Sequence, residues 1–162
     1  MLIEGAFELF VPRAALYERL LDAHLLAGCI PGCEAVERMD DARYKAAIGI
    51  ALAGIKARFD LIVELTEREP PGLIVCMTRG EEGSLASQLA AQSRITLHEL
   101  APDNTRVEYV SEVSLSGRLG RFGLGVMQKK AQSMGDSFVS ALRDRLVAEH
   151  QPDSRGESGS RE

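Results

Sequence analysis

The stretch Leu26-Ala27-Gly28-Cys29-Ile30-Pro31-Gly32-Cys33 constrains this chain more than any other. Proline fixes φ and glycine admits positive φ, so Pro31-Gly32 marks a sharp turn. The turn follows a short helical piece and precedes a series of strand-like segments, and one long helix closes the chain. That order of strand, short helices, many strands and long helix places the short helical piece across the start of a sheet and leaves few folds open.

Periodicity defines the elements. Residues 2–10 alternate with Ile3, Gly5, Phe7 and Leu9 on one face, which predicts a strand. Pro12 suits the first turn of a helix over 12–21, where Leu16 and Leu20 lie one turn apart. Asp22 is placed to cap a second helix over 23–28. Strands are predicted at 34–40, 43–53, 56–67, 73–79, 85–97 and 105–115. Turns fall at Glu69-Pro70-Pro71-Gly72, Glu81-Glu82-Gly83 and Ala101-Pro102-Asp103-Asn104. Over 119–148 the period changes: Met127, Ala131, Met134, Phe138, Leu142 and Leu146 form one helical stripe. About 30 helical residues span about 45 Å, enough to cross a small domain, with an irregular first turn at Gly120, Gly123 and Gly125. Residues 149–162 read as a disordered polar tail, because from Gln151 onward no apolar residue is present. The ordered domain is therefore expected over 1–148.

Length and charge exclude several classes. A chain of 162 residues favours one domain, which buries roughly 70% of its unfolded surface without staples. The net charge of −5 argues against a nucleic-acid binder, which needs a basic stripe. The longest apolar run, Ala46 to Ile55, is interrupted by Gly49 and Gly54 and falls short of the ~20 residues of a membrane span. The N-terminus carries Glu4 and lacks a basic segment, unlike a secretory signal. Three cysteines fit free thiols in a reducing cytoplasm, the expected location.

Chemistry-bearing residues are sparse. His24, Cys29 and Cys33 invite a zinc reading, but the Cys-x3-Cys spacing has no second pair and Cys76 lies on a distant strand. Small buried packing thiols are the better reading, and neither metal nor cofactor is expected. Gly117, Gly120, Gly123 and Gly125 follow a strand and open a helix, without the Gly-x-Gly-x-x-Gly spacing or the following strand of a dinucleotide site. Arg118 and Arg121 read as solvated. His24, His98 and His150 form no catalytic set with serine or carboxylates. Tyr109 is the one acid–base candidate whose face can point inward.

A long helix must bury its stripe, and consecutive strands joined by short turns give an antiparallel sheet. A curved sheet wrapped round one helix satisfies both. The segment Leu26–Cys33, the run Gly54-Ile55-Lys56-Ala57-Arg58-Phe59, the Pro70-Pro71 turn and Ser116-Gly117-Arg118-Leu119-Gly120-Arg121-Phe122-Gly123, taken in order and spacing, resemble the carbon monoxide dehydrogenase G-subunit family. That family belongs to the START/Bet v 1-like (SRPBCC) helix-grip superfamily, and the resemblance covers 1–148. It implies an α+β helix-grip fold: a seven-stranded curved antiparallel sheet round a long C-terminal helix, two short helices after the first strand, and a cavity between sheet and helix. It further implies a non-enzymatic accessory protein of a molybdenum hydroxylase or carbon monoxide dehydrogenase-type enzyme, in electron delivery, membrane recruitment or maturation. The ligand class it favours is an apolar small molecule such as a quinone, with peripheral membrane contact.

On that fold the cavity-lining candidates are Phe59, Leu61, Val63, Val75, Met77, Ile95, Tyr109, Val113, Met127, Met134 and Phe138. Two other readings stay open. One is a cyclase- or hydratase-like enzyme, which needs convergent polar groups in the cavity. The other is a docking or maturation factor, whose cavity would be filled by its own side chains.

Overall fold

The computed structural model describes residues 1–84 and 86–149. Its order is β1 (Leu2–Leu9), α1 (Arg13–Leu20), α2 (Ala23–Cys29), β2 (Cys33–Arg38), β3 (Arg43–Leu52), β4 (Ile55–Glu69), β5 (Leu73–Glu82), β6 (Ser87–Ala101), β7 (Asn104–Ser116) and α3 (Leu124–Glu149). The strands form one antiparallel sheet in the order β1-β7-β6-β5-β4-β3-β2. The helices α1 and α2 carry the chain from one sheet edge, β1, to the other, β2. This is the helix-grip arrangement that the order of elements predicts.

Local chemistry explains the breaks. The Asp22 carboxylate accepts from the backbone N–H groups of His24 and Leu25 and caps α2 as its position predicts. The β3–β4 hairpin turns through Ala53 (φ 50°) and Gly54 (φ 81°), the positive-φ pair of a tight two-residue loop. Register shifts at Cys33/Ala35, Leu65/Glu67 and Glu99/Ala101 bend three strand pairs and add twist. Several boundaries differ from the sequence reading, β6 for one running over Ser87–Ala101 and not 85–97. β5 runs on to Glu82, through the residues read as a turn, because Glu81 and Glu82 pair with Gln88 and Ser87. The closing helix begins at Leu124, not 119. Leu119–Phe122 is a single 3-10 turn, and Gly123 at φ 89° separates it from α3. The expected tail lies outside the described residues beyond Glu149.

The Pro31-Gly32 turn meets its sharpest demand where α2 hands over to β2. Gly32 has φ 73°, and a Cβ there would stand 2.0 Å from the Gly49 carbonyl oxygen. The Gly49 N–H donates to the Gly32 carbonyl at 2.8 Å. The neighbouring Gly28 lies under the Arg145 guanidinium of α3, 2.3–2.5 Å from where its Cβ would be.

The core is two-ended. One cluster joins Leu9, Val11, Leu16, Tyr17, Leu25, Cys29, Ile74, Leu97, Val107, Leu142 and Leu146. Here the Tyr17 hydroxyl donates to the Leu73 carbonyl at 2.9 Å and the Thr105 hydroxyl to the Val11 carbonyl at 2.7 Å. The other cluster joins Ala46, Ile48, Leu52, Ala57, Phe59, Leu61 and Leu119. In α3 only Leu142 and Leu146 are buried, so the helix is anchored at its C-terminal end. Arg143 donating to the Glu8 carbonyl at 3.0 Å and the Arg19–Glu149 ion pair hold the same end.

Two outcomes follow for thermal or urea unfolding. Gly32→Ala is expected to cost about 3 kcal/mol or more, because it adds a backbone clash to a positive φ. A loss under about 1 kcal/mol would mean the turn relaxes freely. Leu142→Ala is expected to cost about 2–5 kcal/mol, and Met127→Ala, at the other end of α3, under about 1.5 kcal/mol. Equal costs would refute one-ended anchoring.

Candidate functional site

Side chains of paired strand residues share a face, so the register sorts the inner surface into rows. Toward the buried leucines of α3 the rows close into solid core. Toward the β3–β4 hairpin they do not. There Ile48, Ile50 and Leu52 of β3, Ala57, Phe59 and Leu61 of β4, and Leu89, Val113 and Leu115 face Met127, Lys130, Ala131 and Met134 of α3 across a cavity of about 230 Å³. Met1, Ile3 and Leu119 complete the wall. Leu119 is held there by its backbone N–H, which donates to the Ser87 hydroxyl at 3.0 Å. A shallower depression outside shares Met1, Val113, Leu115 and Met127 with the cavity and is rimmed by Leu124, which marks the mouth. Leu124 and Val126 stand 69% and 44% exposed beside it.

Among the described residues Lys130 is the sole titratable side chain on this wall. A long lysine stem can line apolar space while its ammonium reaches water. Among the described residues the wall carries no carboxylate or imidazole side chain, and what it offers is shape and desolvation.

Of the residues singled out in the sequence, Phe59, Leu61, Val113, Met127 and Met134 line the cavity together. Val63, Ile95, Tyr109 and Phe138 lie on the inner side but outside this wall. Val63 pairs with Tyr44 and Thr78, while Ile95 and Phe138 pack against the core at the far end. The Tyr109 ring crosses to Gly5 and meets Phe7 at 6.4 Å between centroids. Burial, and to a lesser degree the Asp136 carboxylate, pushes the Tyr109 hydroxyl pKa up. Val75 and Met77 are corrections. The inner β5 residues are Ile74, Cys76, Thr78 and Gly80, paired with Ile95, Ser93, Ala91 and Leu89. Val75 and Met77 pair with Arg94 and Gln92 on the outer face. The cause is that β5 has four successive buried residues, Leu73 to Cys76, whose sequence shows no alternation. The sequence reading missed Ile48, Ile50 and Leu52, although they alternate, because Ala46 to Ile55 registers as one apolar run.

The other candidate groups are dispersed. Among the described residues no three His, Cys, Asp or Glu side chains converge as metal ligands. Cys29 is buried in the larger cluster, Cys33 is half-buried against the smaller, and both are free thiols, as is Cys76. His98 lies on the outer surface, 3.6 Å from Glu108. Among the described residues no helix is long and apolar enough to cross a membrane.

Residues 5–147 match the family model described as the carbon monoxide dehydrogenase G subunit (CoxG). No curated protein matches the chain. A conserved protein from Geobacillus kaustophilus is similar in structure, with TM-score 0.84 and 24% identity over 91% of this chain and 96% of that one. A START superfamily protein from Mycobacterium smegmatis gives TM-score 0.69 at 14% identity, covering 91% and 97%. The Zhui aromatase/cyclase from Streptomyces sp. R1128 gives 0.62 at 14%, covering 94% of each chain. At these identities the likeness shows the START helix-grip fold.

Burial is the leading cause that raises all three thiol pKa values. The thiolate is the reactive form, so each thiol is expected to react slowly at pH 7 and faster as pH rises past the ordinary thiol range. Half-buried Cys33 should be labelled before Cys29 and Cys76 by a disulfide reagent in the native protein. Fast labelling of Cys76 at neutral pH would contradict the burial.

Proposed function

The chain belongs to the carbon monoxide dehydrogenase CoxG family, and from that premise we propose that it is a non-enzymatic binding protein for an apolar small molecule. Domain 1–148 is the binding unit. It serves a molybdenum hydroxylase or carbon monoxide dehydrogenase-type enzyme, in electron delivery, membrane recruitment or maturation, from the cytoplasm or the inner face of the membrane. The preferred ligand is a quinone, since such an enzyme must pass its electrons to the respiratory pool. Partner and ligand class rest on family membership.

The single observation that carries the binding reading is the apolar cavity between the hairpin end of the sheet and the unburied half of α3. A carrier needs desolvated, shaped space. A cyclase or hydratase needs a positioned acid or base, and among the described residues Lys130 is the one titratable side chain on the cavity wall. A purely structural docking factor would fill that space with side chains.

Decylubiquinone is expected to raise the melting temperature. A ligand of the native state alone stabilises by about 2.7 kcal/mol at a hundredfold excess over its Kd. Met134→Trp should fill the cavity and abolish the shift while the protein stays folded. Overpacking itself costs about 1–3 kcal/mol, so ligand-induced shifts are compared, not absolute melting temperatures. Absence of a shift in the wild type, or an equal shift in the Trp variant, refutes the reading.

A further inference from the structure

We infer that the inner sheet face carries a polar subsite next to the cavity, formed by the hydroxyls of Ser93, Ser111 and Tyr109. It takes the uncharged carbonyl or hydroxyl head of a ligand whose apolar body lies in the cavity. The inference rests on the reading of the cavity as a ligand site and adds how the ligand is oriented and what chemistry its head must have.

The register places this subsite. Ser111 pairs with Ser93, and Ser93 with Cys76, in one row across three strands. Ser111 also pairs with Ile3, which lines the cavity, and Val113, two residues along β7, lines it too. The hydroxyl row therefore borders the apolar floor directly. Tyr109 is two residues from Ser111 in the other direction, so the same inner face holds both. Ser93, Ser111 and Tyr109 are only half-buried, although Tyr109 meets α3 at Gly135 and the next row toward the core contains fully buried Leu97 and Val107. The apolar cavity, at about 230 Å³, is smaller than the ~300 Å³ at the low end of small-molecule pockets. A ligand that outgrows it meets this row next.

The hydrogen-bonding capacity of the row is unspent. The Ser93 and Ser111 oxygens lie 2.6 Å apart, one hydroxyl donating to the other. Each hydroxyl has one hydrogen and two lone pairs, so that bond leaves one hydrogen and acceptor lone pairs over. The Tyr109 hydroxyl makes no hydrogen bond among the described residues, yet it stands inside the grip of sheet and helix. Two glycines keep it uncovered: a Cβ at Gly5 would meet it at 2.4 Å and one at Gly135 at 3.3 Å. The Tyr109 oxygen is not sealed from solvent, and a ligand oxygen would take the place of water there. Asp136, next to Gly135, puts negative charge on that side, and the three hydroxyls bring no cation. An anionic head would be desolvated there without a counter-charge. A carbonyl or hydroxyl oxygen is matched.

The test compares two ligands with one carbon skeleton, 2,3-dimethyl-1,4-naphthoquinone and 2,3-dimethylnaphthalene, by equilibrium dialysis. The quinone carries carbonyl oxygens at the two ring positions where the hydrocarbon carries hydrogen. Both are expected to bind the wild type, the quinone more tightly. The double variant Ser93→Ala with Ser111→Ala should weaken the quinone about tenfold and change the hydrocarbon less than twofold, the scale of one or two neutral hydrogen bonds. Tyr109→Phe should weaken the quinone about threefold, and Ser111→Thr, which keeps the hydroxyl, should leave it unchanged. An unchanged quinone Kd in the double variant, or equal losses for both ligands, overturns the subsite and leaves the cavity reading standing. Failure of both ligands to bind the wild type overturns the two together.

Discussion

Everything in this molecule depends on Leu142 and Leu146 being driven into the cluster of Leu16, Leu25, Leu97 and Val107. Fully burying a leucine side chain is worth about 1.5–3 kcal/mol, so the pair supplies about 3–6 kcal/mol before chain entropy is counted. That is a large part of a typical domain's net stability. A helix of 26 residues with glycines at 125 and 135 would be marginal alone. The leucines fix its C-terminal end, and helical continuity then projects the rest over the sheet. The unburied half of α3 is where it is because the other half cannot leave.

The sheet meets this helix with a gradient of side-chain size. At the anchored end the inner positions are large and closed. In the middle they are Ala91, Ser93, Ser111 and Thr78, which leave space. At the hairpin end they are large again, but the helix stands off from them and presents Met127, Ala131 and Met134 instead of leucine. Gly80 belongs to the same design: Leu61 folds over it, with Cδ2 2.1 Å from where a Cβ would be. The cavity thus arises from where bulk is withheld, on both the sheet and the helix.

The element order, the capping Asp22 and the helical stripe were legible because each rests on local periodicity or on one residue's backbone preference. Leu142 and Leu146 stood in the right stripe, yet nothing local separates them from Met127 and Met134, which face open space. That distinction is made by residues of α1, α2 and β6 far away in sequence. The face of β5 was illegible for a different reason. Leu73 to Cys76 is apolar at four successive positions, so only pairing with Thr96, Ile95, Arg94 and Ser93 decides which of them turn inward. The close approach between Gly32 and Gly49 lay equally beyond reach: the glycine signalled a turn, but not that a carbonyl seventeen residues on would occupy the place of its side chain.

The separation of anchor and cavity along a single helix has an evolutionary meaning. Substitutions on the helix side of the cavity, at Met127, Ala131 and Met134, act on groups outside the leucine anchor and outside the buried residues of the second cluster, so that side can drift in shape and chemistry under weaker stability constraint than the sheet side. Substitutions at the leucine anchor or under Arg145 at Gly28 have no such freedom. A lineage built this way can reshape its cavity by changing a few methionines and alanines on α3, with its architecture intact.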